Sequence, residues 1–223
     1  MPDRRRSGIL SSVKRIFDVV VSLFALTILA PVLGAIALGV LATSPGGVLF
    51  RQVRMGRANR PFIIVKFRTM SAAPDAAKGR FDPGRDGDRI TPIGRWLRRT
   101  KLDELPQFWN VLRGEMSLVG PRPEVPRWTE VYPERWKVVL SVRPGITDPA
   151  SIEFRHEEAM LATAADPERT YREAILPRKL EIAERYVRTR TFAGDLAVLL
   201  RTATSILGRG PGPATLDGSI PSR

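Results

Sequence analysis

The sequence predicts a mostly helical α/β protein with a membrane-associated N-terminal segment, a small β-hairpin and a set of amphipathic helices. Three observations predict it. From Val19 to Phe50 no residue is ionisable, and Val19–Ala42 is almost wholly apolar. Two strand-like windows, VLFRQVRMG and FIIVKFRTM, flank a linker from Arg57 to Pro61 that suits a hairpin. Further on, apolar residues recur at helical spacing between Pro/Gly-rich turns.

Residues 1–12, with Arg4, Arg5 and Arg6, read as a basic, loosely ordered arm. The apolar segment follows, over 13–43. About 20 such residues cross a bilayer core, so its length permits a transmembrane helix. A signal peptide is the alternative, but its apolar part ends after roughly 7–15 residues at a small-residue cleavage site. This run is longer and has no A-x-A exit. Pro31 lies mid-run with Gly34 close behind, and proline removes a backbone donor and kinks a helix. Basic residues stand on both sides, Lys14 and Arg15 before, and Arg51, Arg54, Arg57 and Arg60 after. The positive-inside tendency is met at both ends by a helix that bends at Pro31 and leaves on the face it entered. A straight, proline-kinked span is the other solution, and these residues leave the two open.

Ser44–Gly47 reads as a turn into the hairpin, and Ser71–Asp88, rich in Gly, Pro, Ala and Asp, as a mobile loop. TPIGRWLRRT predicts a short helix with Pro92 in its first turn. For the next helix Asp103 is the expected N-cap, Pro106 falls in the first turn and Gly114 is the terminator. Its apolar face is Leu105, Phe108, Trp109 and Leu112. VGPRPE reads as a turn and VRPGITDP as a loop. Asp166-Pro167 opens a helical region towards Arg190, broken near Pro177. GDLAVLLRTATSILG is a last amphipathic helix with Leu196, Leu199, Leu200, Ala203 and Leu207 on its apolar side. The body therefore spans 44–207, and the Gly/Pro/Ser-rich tail over 208–223 reads as disordered.

The chain of 223 residues carries 36 Lys+Arg against 23 Asp+Glu, a net charge of +13. Such a surplus favours polyanionic company: nucleic acid, anionic lipid or phosphorylated small molecules. There is no cysteine and the single histidine is His156, which excludes thiolate metal sites, multi-His sites and a Ser-His pair elsewhere. Acid–base or nucleophilic work falls on carboxylates, lysines and hydroxyls. The pair Asp103-Glu104 is the notable candidate. Acids at a helix start are ordinary caps, yet the same position favours the ionised form that a carboxylate nucleophile needs. Arg122 and Arg143 each adjoin a proline in a turn, which restricts the backbone behind a guanidinium fork. Lys66 and Arg68, two apart on a strand, share a face, while Arg98, Arg99 and Lys101 suit an ordinary solvated surface. No Walker A or dinucleotide glycine motif is present. Bound phosphates would be held by side-chain cations and a divalent metal.

The motifs KRIFDVVVSLFAL…P, FIIVKFRTM, TPIGRWLRRTKLDELPQFWNVLRGEMSLVGPRPE and VRPGITDPASIEF occur in the order found in bacterial sugar transferases. The chain resembles these small monotopic phosphoglycosyl transferases from about Ser12 to Leu207. With no large membrane domain ahead of the motifs, the expected counterpart is the family's minimal catalytic unit. The resemblance implies transfer of a sugar-1-phosphate from a nucleotide diphosphate sugar, commonly a UDP-sugar, to polyprenyl phosphate, as a first step of glycan assembly. It implies that Asp103 attacks the sugar-bearing phosphorus to give a phosphosugar–aspartyl intermediate. Glu104 then assists, by placing Mg²⁺ or by deprotonating the acceptor, and Asp103 and Glu104 are the implied Mg²⁺ ligands. Lys66, Arg98, Arg122 and Arg143 match family cations near the phosphates; Arg68 joins the phosphate-binding set as the strand neighbour of Lys66. The resemblance also implies a re-entrant membrane helix broken at Ala30-Pro31, with a compact catalytic domain on the cytoplasmic face of the bacterial inner membrane. The family often has Ser where this chain has Ala30, so the break rests more heavily on Pro31. Expected partners are the nucleotide sugar, the polyprenyl phosphate and membrane lipid, with no nucleic acid; the oligomeric state, homo-oligomers included, is open. The competing function is a basic membrane-anchored module that binds anionic lipid or nucleic acid without catalysis.

Overall fold

The computed structural model describes residues 4–44, 46–71 and 89–206, with the side chains of the first helix from Ser12 onward. The loop expected at Ser71–Asp88 (beyond Ser71 itself) and the tail over 208–223 lie outside the described residues. The fold is mostly helical, with a hairpin and a second, short pair of strands. Helix α1 covers Arg4–Ile28, so helix runs through residues 4–12, the stretch read as an arm. Helix α2 covers Ala30–Thr43, with Pro31 in its first turn where a missing N–H is tolerated. Among the described residues no single helix is long and apolar enough to cross a membrane; Ser12–Ile28 and α2 pass that test together but are bent by 63°. At the break the Leu29 and Leu33 N–H groups keep their helical partners, Ala25 and Leu29. Pro31 has no N–H to give Thr27, whose hydroxyl bonds back to the Leu23 carbonyl at 2.9 Å.

Strands β1 (Leu49–Met55) and β2 (Pro61–Phe67) form the expected antiparallel hairpin, with Phe50 opposite Lys66. Helix α3 (Pro92–Thr100) starts at Thr91, whose side chain accepts from the Gly94 N–H at 3.0 Å. Lys101 then turns left-handed, and a single 3₁₀ turn, Leu102–Glu104, leads into α4 (Gln107–Arg113). This corrects the cap assignment: Asp103 lies inside the tight turn and its carboxylate caps no backbone N–H. The expected stop at Gly114 is present, with φ +82°. The expected apolar face meets the core only in part, through Phe108. The buried side of α4 is Gln107, Asn110 and Val111, whereas Trp109 is exposed. Periodicity located a face of the helix but not which face meets the core.

The turn VGPRPE starts on the last residue of a strand, and the loop VRPGITDP contains a second strand in its middle. Strands β3 (Ser117–Val119) and β4 (Gly145–Thr147) pair in parallel, buried beneath the loops. Between them lie α5 (Pro126–Thr129) and α6 (Pro133–Val139), and beyond them α7 (Pro149–Glu153), α8 (Glu157–Ala162) and α9 (Pro167–Thr170). A π-helical turn, Tyr171–Ile175, precedes α10 (Leu176–Thr189) and supplies the break expected near Pro177. Helix α11 (Phe192–Ile206) buries Asp195, Val198 and Ser205. Of its apolar side, Leu196 and Leu200 face outward while Leu199 packs against the core; Leu207 lies outside the described residues.

Among the described residues, three packed groups hold this together. Phe17 and Val21 of α1 pack with Ile64, Val111, Met116, Leu118, Val119 and Val198, so the first helix is built into the centre of the body. Ile36 and Val40 of α2 pack with Phe67 and Leu97. Trp128, Trp136, Tyr171 and Leu180 belong to the group under α5–α10.

Candidate active site

The 3₁₀ turn places Asp103 and Glu104 side by side at the buried edge of the hairpin. Lys66 reaches Glu104 from β2, its Nζ donating to Oε1 at 3.0 Å. Arg122 reaches the same carboxylate from the loop after β3. Its Nη2 donates to Oε1 at 2.5 Å and its Nη1 to Oε2 at 3.2 Å, a two-pronged fork. Burial pushes the Glu104 carboxyl up, but Arg122 and Lys66 outweigh it and hold the group well below the usual carboxylate range. Glu104 is therefore ionised and its oxygens are engaged.

Asp103 is its opposite. It is 7% exposed, and none of the cations that grip Glu104 hydrogen-bonds to it. Its Oδ1 is enclosed with no donor, an arrangement that costs on the order of 1–3 kcal/mol. Burial raises the Asp103 carboxyl above the ordinary aspartate value, with Lys66 opposing and the Glu104 charge adding to the rise. Two adjacent carboxylates thus have different fates: one saturated by cations, the other left with free lone pairs.

The frame that sets this geometry uses side chains that sequence reasoning missed. Asn110 of α4 accepts from the Val65 N–H at 3.1 Å and donates to the Ile63 carbonyl at 2.7 Å, which fixes α4 against β2 one residue from Lys66. Asp148 accepts from the Arg122 backbone N–H at 3.2 Å and from the Ser151 N–H at 2.7 Å, tying the Arg122 loop to the start of α7. Arg54 donates to the Pro123 carbonyl at 3.2 Å and to Glu124 Oε1 at 3.0 Å. Glu124 Oε2 accepts from the Tyr171 hydroxyl at 2.6 Å, so the loop carrying Arg122 is held on both flanks. Arg54, Asn110, Glu124 and Asp148 had little signal as single letters. Only PRPE, with a second charge two residues after Arg122, hinted at a partnered loop.

The other expected phosphate ligands are placed differently. Arg68 donates to the carbonyls of Gly47 and Leu49, at 2.9 and 3.2 Å, and braces the start of the hairpin. Arg98 pairs with Glu158 at 2.5 Å. Arg143 donates through Nε to the Gly114 carbonyl at 2.9 Å, at the C-terminal end of α4. The structure thus brings together Asp103, Glu104, Lys66 and Arg122, while Arg68, Arg98 and Arg143 make no hydrogen bond or ion pair with either acid. His156 ends at the start of α8 with no side-chain cap bond.

A metal ion has limited footing here. No group of three or more His, Cys, Asp or Glu side chains arranged to hold one occurs among the described residues. Of the two expected Mg²⁺ ligands, Glu104 has its oxygens occupied by Arg122 and Lys66, and Asp103 has its open edge free. Mg²⁺ commonly binds through one or two carboxylates plus substrate phosphates. The residues fit an ion brought by a diphosphate and touching Asp103, and do not form a protein cage.

Comparison with known proteins gives one family. Residues 9–209 match the family model described as bacterial sugar transferase. The UDP-glucose:undecaprenyl-phosphate glucose-1-phosphate transferase of Caulobacter vibrioides is 36% identical over 200 residues, covering 87% of this chain and 69% of that protein. The Escherichia coli (strain K12) protein of the same description is 42% identical over 153 residues, 67% of this chain and 33% of the relative. A UDP-N-acetylgalactosamine-undecaprenyl-phosphate N-acetylgalactosaminephosphotransferase of Aeromonas hydrophila is 33% identical over 205 residues, 90% of this chain and 45% of the relative. Against the last two, the chain spans less than half of the longer protein.

Proposed function

The chain belongs to the bacterial sugar transferase family, and from that premise we propose that it moves a sugar-1-phosphate from a UDP-sugar to undecaprenyl phosphate. The observation that carries the reading is the contrast between the two acids. Glu104 is saturated by Lys66 and Arg122, and Asp103, next to it, is left with unengaged oxygens. Asp103 attacks the sugar-bearing phosphorus, the bond to the UMP oxygen breaks, and UMP leaves with that electron pair. A phosphate oxygen of the lipid then attacks the same phosphorus and returns the electron pair to Asp103.

Glu104 holds the cations beside the reaction rather than acting as a base. A carboxylate kept well below its ordinary range is a poor proton acceptor, and its role here is to anchor Lys66 and Arg122 in a buried place. Lys66 has three N–H donors and Arg122 five. Each keeps N–H groups beyond those spent on Glu104, and these can meet donor phosphate oxygens as charge moves during transfer. Mg²⁺ carried by the donor diphosphate would neutralise phosphate charge at the open edge of Asp103.

The same reading places α1 and α2 in the cytoplasmic leaflet of the inner membrane as a re-entrant hairpin. Outward-facing Val20, Phe24, Ile28, Leu38 and Leu41 support it, as do Trp109 and Leu200 on neighbouring elements. Both ends of the hairpin are also bound into one body. Lys14 pairs with Asp195 at 2.6 Å on the entering side, and Arg54 with Glu124 at 3.0 Å after the exit. A chain without cysteine allows a clean test: Ser12→Cys and Ala58→Cys should both resist an impermeant maleimide added from the periplasm. Labelling of one alone would mean a straight span.

A non-catalytic basic module accounts for the net charge but not for two carboxylates enclosed beside Lys66. The deciding assay uses the purified full chain, undecaprenyl phosphate and a panel of UDP-sugars beginning with UDP-glucose. UMP and the lipid-linked sugar phosphate are expected together, and Asp103→Asn should lose both. Turnover retained in Asp103→Asn removes the nucleophile assignment; no UMP across the panel removes the transfer itself.

A further inference from the structure

A cleft of about 430 Å³ opens between α7, α10 and α11. Ile152, Ile182 and Val198, all buried, give it an apolar floor. Arg178, Arg185, Arg190 and Arg201 also line it, and Glu153 is the single acid among the lining residues. These cations are of two kinds. Arg178 and Arg185 share Glu181, at 2.9 and 3.1 Å, and Arg178 also meets Glu153 at 3.4 Å. Arg190 and Arg201 are exposed, and among the described residues their side chains have no hydrogen bond or ion pair. One such arginine is an ordinary surface residue. Two of them bordering one apolar cavity make a place for an anion with an apolar body. The walls stand without a ligand: the Tyr186 hydroxyl of α10 donates to Asp195 of α11 at 2.7 Å, and Arg155, just past α7, donates to the Ser205 carbonyl near the end of α11.

The lining also selects the kind of anion. Its one aromatic residue, Tyr186, is 8% exposed and its hydroxyl is engaged, so no open ring face is offered to a nucleobase. A bare phosphate gains nothing from the apolar floor. Helix α11 continues the apolar surface outward from the cleft. At about 100° per residue, the positions that follow Gly194 and Arg201 around the helix are Ala197 and Ala193, then Leu200 and Leu196. Both alanines are exposed, and Leu200 and Leu196 are 67% and 42% exposed. We propose that this cleft binds the headgroup of an anionic phospholipid. Arg190 and Arg201 meet its phosphate, and an acyl chain crosses Ala197 and Ala193 to reach Leu200 and Leu196. The inference rests on the membrane placement proposed above for the source of the lipid, but not for the chemistry of the cleft. Lys14 pairs with Asp195, and the rings of Phe17 and Phe192 meet edge to face at 5.2 Å, so α11 is joined to α1. A lipid held here attaches the body to the bilayer surface at a point separate from the α1–α2 hairpin.

The test uses the full chain in neutral detergent, titrated with short-chain phosphatidylglycerol and read by Tm, since a ligand of the folded state raises it. A saturable rise is expected. Phosphatidylcholine of the same chain length, whose phosphate charge is balanced within the lipid, should raise Tm little. Arg190→Gln/Arg201→Gln should melt like wild type without lipid, because neither side chain has a protein partner to lose. It should need about 30-fold more phosphatidylglycerol for half the rise, as two cations are removed from the phosphate. Arg51→Gln/Arg60→Gln removes the same charge from exposed positions on the β1–β2 hairpin and should respond as wild type does. No rise in the wild type, or the same half-point in all three proteins, overturns the site. Glycerol 3-phosphate acting as well as phosphatidylglycerol would show a soluble phosphate ligand and overturn the lipid assignment. A chain that binds the short-chain lipid through Arg190 and Arg201, yet fails to float with phosphatidylglycerol vesicles, would leave the cleft standing and remove the membrane placement alone.

Discussion

Arg15 Nη1 donates to the Val111 carbonyl at 2.7 Å, joining the first helix to the far end of α4, whose near end follows the acid pair. Its Nη2 takes the Leu112 carbonyl at 3.1 Å, and Arg143 takes that of Gly114. The last carbonyls of a helix have no intrahelical donor and carry partial negative charge, so two guanidinium groups cap them. The first helix thereby fixes the position of the turn that carries Asp103 and Glu104.

Arg15→Met should cost about 1–2 kcal/mol, as a charge-assisted cap is lost. The expected readout is a Tm lowered by several degrees in detergent, with turnover reduced although no atom near Asp103 has changed. Arg15→Lys should recover part of the Tm, since a point charge serves the helix end while the paired contact is lost. A Tm equal to that of the wild type in Arg15→Met would show that water caps the helix as well as Arg15 does.

Gly145 in β4 tests the short parallel strands. A Cβ there would lie 2.1 Å from the Gly120 nitrogen and 2.4 Å from its oxygen. Both are backbone atoms that cannot turn aside as a side chain would. Gly145→Ala should therefore separate β3 from β4 and displace the Arg122 loop, with a loss of about 1–3 kcal/mol or more. Reduced expression or a broad, early melting transition is the expected outcome, and native-like melting would refute it.

This pair of strands also marks how far the sequence was legible. The hairpin, α3 and the start of the Pro167 region announced themselves through alternation and caps. Gly120 and Gly145 looked like turn glycines because they stand beside prolines, but what they supply is close approach of two backbones. That depends on a partner distant in the chain, which local pattern cannot show. Asp103, Glu104, Lys66 and Arg122 were legible as a charge set. Arg68, Arg98 and Arg143 resembled them in type, yet backbone carbonyls and Glu158 claimed them. The apolar side of α11 was legible, but periodicity says nothing of what a face meets, and Leu196 and Leu200 face outward while Leu199 packs inward.

The Glu124 network predicts a pH dependence of stability. Burial raises this carboxyl, but Arg54, Lys179, the Tyr171 hydroxyl and the Val125 N–H together hold it below the ordinary glutamate range. A depressed folded value means that its stabilisation is complete above the unfolded value, about 4.3, and is lost as pH falls through the folded one. Glu124→Gln should melt earlier than wild type at pH 7, and the gap should narrow below about pH 4.3. A gap that stays constant with pH would mean that packing, not charge, is what the substitution removed.

Glu104 separates anchoring from chemistry. Its carboxylate is the shared counter-charge of Lys66 and Arg122, which lie close enough for each to depress or oppose the other. Glu104→Gln leaves two partly buried cations facing one another, and breaking a buried pair on one side costs about 3–5 kcal/mol. Lys66→Met removes one of those cations and, in the double variant, relieves the repulsion. Stability should therefore recover in Glu104→Gln/Lys66→Met relative to Glu104→Gln, giving a coupling of about 0.5–3 kcal/mol in a thermal or denaturant cycle. Activity should not recover, because the donor phosphate then meets neither the ammonium nor a fixed guanidinium fork. Recovery of turnover along with stability would show that Lys66 serves only to neutralise Glu104, and would leave Arg122 alone to bind the phosphate.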